Sequence, residues 1–189
     1  MKLRAGRGSN LHASCREWVD VRPTATLGDL QGAGDGLRRE RQAVVLSNPL
    51  DFSTQARFAA ARRELLAGRF FPPWFATTVV CGDGEVAVGS LLLQRLHAGP
   101  LMSIDAPVRV AELVDEAERV ALTFVTLDGH PERGVERYDL RLEDGHTTLT
   151  VDKAWQLSNR LLRIGTPAAS VLQRYATRLS LRRFRDARW

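Results

Sequence analysis

The segment from Glu136 to Trp155 constrains the fold of this 189-residue chain more than any other. Two alternating runs, Glu136–Leu142 and Thr147–Trp155, flank Asp144-Gly145, a dipeptide suited to a two-residue β-hairpin turn because both positions accept a left-handed backbone. With that turn Glu143 faces His146, and every other pairing follows. Leu140 falls opposite Leu149 and Tyr138 opposite Val151 on one side, while Arg137 meets Asp152 and Arg141 meets Thr148 on the other. A slip of one residue would turn the whole apolar set to the wrong face, so the pattern specifies the register. The same register sets Glu136 opposite Lys153 on the apolar side and Gly134 opposite Trp155.

The rest of the chain is read around this hairpin. Residues 1–40 are rich in Gly, Arg and Asp and predict an irregular N-terminal segment, leaving 41–189 as a single domain. Ala43–Leu46 predicts a short strand. Asp51 or Ser53 can cap a helix reaching Leu66, with Phe58, Ala59, Arg62 and Leu65 on one face and Gly68 as its stop. After the connector Phe70–Trp74, Phe75–Cys81 and Glu85–Leu93 read as a hairpin around Gly82-Asp83-Gly84. Met102–Asp105, Val108–Val110 and Val120–Phe124 add short strands. Ser158 can cap a turn ending at Ile164, and Thr166-Pro167 starts a longer helix. On that helix Ile164, Ala168, Val171, Leu172, Tyr175 and Leu179 form an apolar stripe, and Arg174, Arg178, Arg182 and Arg185 form a ridge. The predicted fold class is α+β: a curved antiparallel sheet of about six strands with a long C-terminal helix packed across it, an arrangement able to leave a cavity beneath the helix.

Charge and composition exclude several classes. No run of apolar residues is long enough to span a membrane, and the basic N-terminus lacks the apolar run of a signal peptide. Cys15 and Cys81 form neither a disulfide framework nor a zinc set, which makes the cytoplasm the default compartment. The net charge of +5 is concentrated at one end: residues 159–189 carry eight arginines and one acid. That ridge can contact nucleic acid or an anionic surface, but without interleaved lysines, and with Phe184 as the lone candidate for stacking, it reads more simply as a solvated helix face, so a nucleic-acid partner is not favoured. The four histidines have no metal-ligand spacing, and no phosphate-binding loop, dinucleotide fingerprint or nucleophile elbow occurs, so neither metal nor cofactor is expected.

The most distinctive stretch runs from Thr126 to Arg137, Thr-Leu-Asp-Gly-His-Pro-Glu-Arg-Gly-Val-Glu-Arg. Its Gly-His-Pro-Glu-Arg-Gly core resembles the signature of DUF1990, a family of unknown function, and the resemblance extends from about Ala43 to Arg185 through Pro73-Trp74 and the Pro167…Gln173…Tyr175 helix. Asp128, Val125 and Val135 depart from the family's usual Pro, Gly and Glu. The family is similar in layout to START-like helix-grip domains, which implies a ligand cavity between sheet and helix.

The candidate binding residues are His130, Glu132, Arg133, Glu136, Lys153, Tyr138 and Trp155. His130, held between Gly129 and Pro131, can act as an acid or base or grip an anion, or can simply bond a backbone carbonyl in its turn. Glu136 and Lys153 can orient a ligand's polar group, or can be a half-buried ion pair and nothing more. The first reading is a non-catalytic protein binding a small, partly apolar ligand. The second is an enzyme using His130, Glu136 and Lys153 for proton transfer.

Overall fold

The computed structural model describes residues 2–5, 10–32, 36–47, 53–82, 85–97, 102–158 and 166–187. Eight strands form one antiparallel sheet: β1 (Lys2–Ala5), β2 (Arg38–Ser47), β3 (Ala76–Cys81), β4 (Leu91–His97), β5 (Met102–Asp115), β6 (Arg119–Thr126), β7 (Glu132–Glu143) and β8 (His146–Leu157). Among the described residues four helices accompany them: α1 (Leu11–Cys15), α2 (Leu27–Gln31), α3 (Thr54–Leu66) and α4 (Thr166–Asp186). The sheet order is β2-β8-β7-β6-β5-β4-β3, with β1 added beside the start of β5.

The β7–β8 hairpin has the register read from its turn. Glu143 pairs with His146, Leu140 with Leu149, Tyr138 with Val151, Glu136 with Lys153 and Gly134 with Trp155. Asp144 and Gly145 take φ of 50° and 74°, the left-handed pair that a primed turn requires. The Arg137–Asp152 contact is replaced: Arg137 Nη1 lies 3.4 Å from Glu112, and Asp152 lies 3.5 Å from Arg41 on β2.

Strand extents differ from expectation for local reasons. Glu85–Ser90 alternates like a strand but turns instead, with Ser90 N–H donating to Ala87 O and Gly89 at φ 91°. The segments either side of Pro107 are one 14-residue strand. Leu127 N–H donates to the Pro107 carbonyl on the β6 side. The missing proline N–H points the same way, so the pairing with β4 through Leu93 is intact.

Residues 10–32 and 36–40 are more ordered than the composition of the N-terminal segment suggested. Asn10 Oδ1 accepts from the N–H groups of His12 and Ala13 at the start of α1, and Asp29 Oδ2 accepts from Thr26 N–H at the start of α2. This segment covers one face of the sheet, where Cys15 and Trp18 pack with Leu91, Leu93 and Leu127. On the same face Arg95 and Asp105 are cross-strand neighbours 2.8 Å apart and fully buried, with Ser14 of α1 accepting from the guanidinium. A buried ion pair reads from sequence as two surface residues, which hid this layer. Cys15 and Cys81 are joined by a disulfide, correcting the expectation that the two thiols stay apart. Sequence distance does not report that α1 folds back onto β3 and β4.

The opposite face carries the main core: Phe58, Ala61 and Leu65 of α3, Phe70, Leu122, Phe124, Tyr138, Leu140, Leu149, Val151, and Leu181 and Phe184 of α4. Asp51 and Phe52 lie outside the described residues. Ser53 is the α3 N-cap, and Gly68 (φ 70°) follows its last turn. The buried α3 face is centred on Ala60-Ala61 and includes Glu64 in place of Ala59 and Arg62. Glu64 receives both Arg69 (2.6 Å) and Arg183 of α4 (2.5 Å), so a single carboxylate ties the two helices together. The α4 stripe is rotated from the expected one. Val171 and Tyr175 are exposed, whereas Thr177, Leu179, Ser180, Leu181 and Phe184 are buried. The side chains of Ala168 and Leu172, and Ile164 itself, lie outside the described residues. Among the described residues no helix is long and apolar enough to cross a membrane.

The disulfide spans a sequence separation of 66 residues. Replacing both cysteines with serine removes a loop constraint worth about 4 kcal/mol by chain-entropy arithmetic. The variant is expected to lose up to that amount in urea unfolding while keeping the sheet's circular-dichroism signal.

Candidate functional site

Between the inner face of the sheet and α4 lies a pocket of about 340 Å³. Its walls are mainly apolar: Phe71 and Phe75 from the connector, Leu96 and Ile104 from β4 and β5, Phe124 from β6, and Trp155 and Leu157 from β8. A larger depression of about 1310 Å³ beside α3 opens to solvent, and Arg62 and Asp115 pair across its surface at 2.6 Å. It gathers no comparable cluster of buried ionisable groups, so the smaller pocket is the candidate site.

One end of the pocket is polar. Glu136, Lys153 and Glu40 sit on adjacent rungs of β7, β8 and β2, because Lys153 pairs with Glu136 on one side and Glu40 on the other. The Lys153 ammonium does not close an ion pair with Glu136. It reaches across to α4 and donates to Thr177 Oγ1 (2.5 Å), Gln173 Oε1 (2.9 Å) and Gln173 O (3.4 Å). Gln173 then donates through Nε2 to Glu132 Oε1. Glu40 is held on its outer side by Arg174 of α4 at 3.7 Å. Gln173, Thr177 and Glu40 were not among the candidates from sequence. The first two are polar residues on a helix face that would ordinarily point outward, and Glu40 falls at the end of the segment read as irregular.

Of the candidates, His130, Glu132, Glu136, Lys153 and Trp155 line the pocket. Arg133 alternates to the outside and is exposed. Tyr138 is fully buried in the core below, its ring 4.9 Å from that of Phe70 and its hydroxyl 3.2 Å from Ser180 Oγ. Leu149 belongs to the same filled core.

The loop motif works mainly as a shape. His130 Nδ1 lies 3.0 Å from both the N–H and the carbonyl of Glu132, which locks the ring against the backbone. Ser158 Oγ donates to the His130 carbonyl at 2.9 Å, joining the loop to the end of β8. Residues 159–165, which include the short turn expected after Ser158, lie outside the described residues. Gly134 is required by close approach. A Cβ there would stand 2.5 Å from Ala154 O and 3.0 Å from Trp155 Cα, both backbone atoms. Thr126 Oγ1 accepts from Gly134 N–H at 2.8 Å, fixing the strand in that position.

Burial sets the electrostatics. The Glu132, Glu136 and His130 side chains keep some accessible surface, but they face the pocket and are surrounded by protein, so they are largely desolvated. Burial pushes the Glu132 carboxyl up to about 8, against the pull of Lys153 and with help from Glu136 and Glu40. Glu136 is raised for the same first reason and opposed by Lys153. Burial pulls His130 down to about 4, so its imidazole is neutral at pH 7. Tyr138 is raised far above its ordinary range by burial and by the nearby Glu136. Among the described residues, no group of three or more His, Cys, Asp or Glu is placed to hold a metal ion.

An antiparallel sheet wrapped around a C-terminal helix, with a hollow between them, is the helix-grip architecture. The chain belongs to the family described as Domain of unknown function (DUF1990), whose model matches residues 23–183. Solved structures with this fold are distant in sequence. The hypothetical protein jhp0584 from Helicobacter pylori is 10% identical, with 82% of this chain and 90% of that one covered and a TM-score of 0.52. The ginseng major latex-like protein 151 from Panax ginseng is 14% identical, covering 78% and 94%, with a TM-score of 0.50. The di-domain ARO/CYC StfQ from the steffimycin biosynthetic pathway is 6% identical with a TM-score of 0.56; the match covers 79% of this chain and half of that larger one, 50%. No curated protein matches this sequence.

Two outcomes are expected. Gly134→Ala meets backbone on β8 that cannot rotate away, and it should destabilise the protein by about 1–3 kcal/mol in urea unfolding. The second concerns pH. The folded chain holds the Glu132 proton to a higher pH than the unfolded chain, so this group favours the fold below about 4.5 and loses that contribution as pH rises through about 8. Thermal unfolding of the wild type should therefore weaken between pH 5 and 8 relative to Glu132→Gln, which lacks this proton, both ends of that window lying within the interval set by the two values.

Proposed function

We propose that this protein binds a small, partly apolar molecule in the pocket between the sheet and α4, with the ligand's polar group at Glu132, Glu136, Lys153 and Gln173. The observation that carries this reading is an apolar pocket of about 340 Å³ closed at one end by a single cluster of desolvated ionisable groups. Pockets that bind small molecules combine apolar walls with a few convergent polar groups in this way. His130 and Pro131 form part of the rim.

A catalytic reading draws on one observation, the Glu132 carboxyl raised to about 8, a value suited to proton transfer near neutral pH. Two others weigh against it. The His130 ring is engaged with the Glu132 backbone, and the Lys153 ammonium is engaged with α4. The arginine ridge gives less support to a nucleic-acid role, since Arg174 leans on Glu40 and Arg185 on Asp186. The Cys15–Cys81 bond favours an oxidising compartment over the cytoplasm expected from composition. Thiol labelling of protein taken directly from its own cells decides between them.

Native mass spectrometry of the freshly purified protein should show bound small molecules that are absent after Ala176→Trp, a substitution on α4 that fills the pocket. Retention of the same mass by a folded Ala176→Trp protein would place binding elsewhere.

A further inference from the structure

The polar end of the pocket has an unequal inventory of donors and acceptors. Lysine has three N–H donors and no acceptor. The three of Lys153 are matched by Thr177 Oγ1, Gln173 Oε1 and Gln173 O. The Thr177 hydroxyl donates back to Gln173 O at 3.1 Å, and one Gln173 amide hydrogen goes to Glu132 Oε1. The donors of α4 are thus largely committed. The acceptors on the sheet are not: among the described residues none donates to either oxygen of Glu136, and Glu132 receives a single side-chain bond, from Gln173. Two carboxylates, Glu132 and Glu136, line this end beside Lys153, and Glu40, the cross-strand neighbour of Lys153, lies next to them with the outer Arg174. A half-buried carboxylate that faces the pocket with no described residue donating to it is open to a donor on a ligand.

We infer that the pocket is built for a cationic amphiphile, a molecule whose protonated amine donates to Glu136 and Glu132 while its apolar body lies along Phe75, Phe124 and Trp155. This rests on the pocket being a binding site. A carboxylate headgroup fits poorly, because it would add a negative charge beside Glu132 and Glu136 and would have to displace the α4 side chains to reach Lys153. A neutral hydroxyl could donate one bond but brings no positive charge to favour the ionised form of Glu132 or Glu136. An amine supplies two or three charge-assisted donors, and it makes charged carboxylates favourable where burial alone disfavours them. Two further buried donors line the same pocket without partners, Trp155 Nε1 and Gln94 Nε2, with residue exposures of 2% and 6%. They can engage an acceptor on the ligand's body, beyond the headgroup.

The experiment is calorimetric titration of the full chain, stripped of co-purified molecules, with n-octylamine, n-octanol and n-octanoate at pH 7. The wild type should bind octylamine about 10–100-fold more tightly than octanol, the range expected for hydrogen bonds to a charged group. Octanoate should bind most weakly. Glu136→Gln, which no described hydrogen bond requires for folding, should remove most of the amine preference, bringing octylamine affinity to within about threefold of octanol affinity in the same variant. Equal binding of amine and alcohol, or tightest binding of octanoate, would overturn the cationic assignment and leave the pocket as a binding site. Failure of all three to bind would overturn both readings. An amine preference that survives in Glu136→Gln and strengthens in Arg174→Glu would place the amine on the outer surface beside Glu40 and also overturn the assignment.

Discussion

The arrangement of this protein depends on one ammonium group buried under a helix. Lys153 projects from β8 into a concave face that is mainly apolar, where an unpaired cation would be prohibitively costly. Its three donors find their acceptors on α4, in Gln173 and Thr177, so the sheet and helix are joined through a polar contact inside the molecule. That contact fixes how far α4 stands from the sheet at this end. It also gathers Glu132 through the Gln173 amide and leaves Glu136 facing open space.

The other end of α4 is held differently. Phe184 and Leu181 enter the main core, and Arg183 meets the Glu64 carboxylate that Arg69 also engages. The neighbouring guanidinium of Arg69, joined by Arg183, keeps that carboxyl below its ordinary range despite its burial. One half of the helix therefore closes on a filled core, with Tyr138 stacked against Phe70 and Phe124. The other half spans the pocket on a polar brace. A helix anchored at one end by packing and at the other by hydrogen bonds can close a cavity without filling it.

Local rules read some residues well. The register of β7 and β8 was legible because Asp144-Gly145 leaves one choice of turn and the alternation leaves one choice of face, so Glu136 and Lys153 had to be neighbours. Gly134 illustrates a motif whose reason lies elsewhere. Its presence in the Gly-His-Pro-Glu-Arg-Gly run is visible, but the backbone of Ala154 and Trp155 that excludes a side chain belongs to the next strand. The α4 face was misread for a related reason. Val171 and Tyr175 look like the buried stripe, yet the helix turns Gln173, Thr177 and Ser180 inward because the surface it covers offers Lys153 and the Tyr138 hydroxyl as partners.

Taken alone, the sequence determined the hairpin, the α+β layout and the neighbourhood in which Glu136 and Lys153 meet, all of which follow from short-range periodicity and turn chemistry. Only the tertiary structure decided what that meeting amounts to. The distance at which α4 crosses the sheet lets the ammonium choose Gln173 and Thr177 over the glutamate beside it. The folding of residues 10–32 onto the far face brings Cys15 to Cys81 and buries Arg95 with Asp105. Both outcomes turn on which polar groups are removed from water together, a property of the assembled chain that no window of its residues contains.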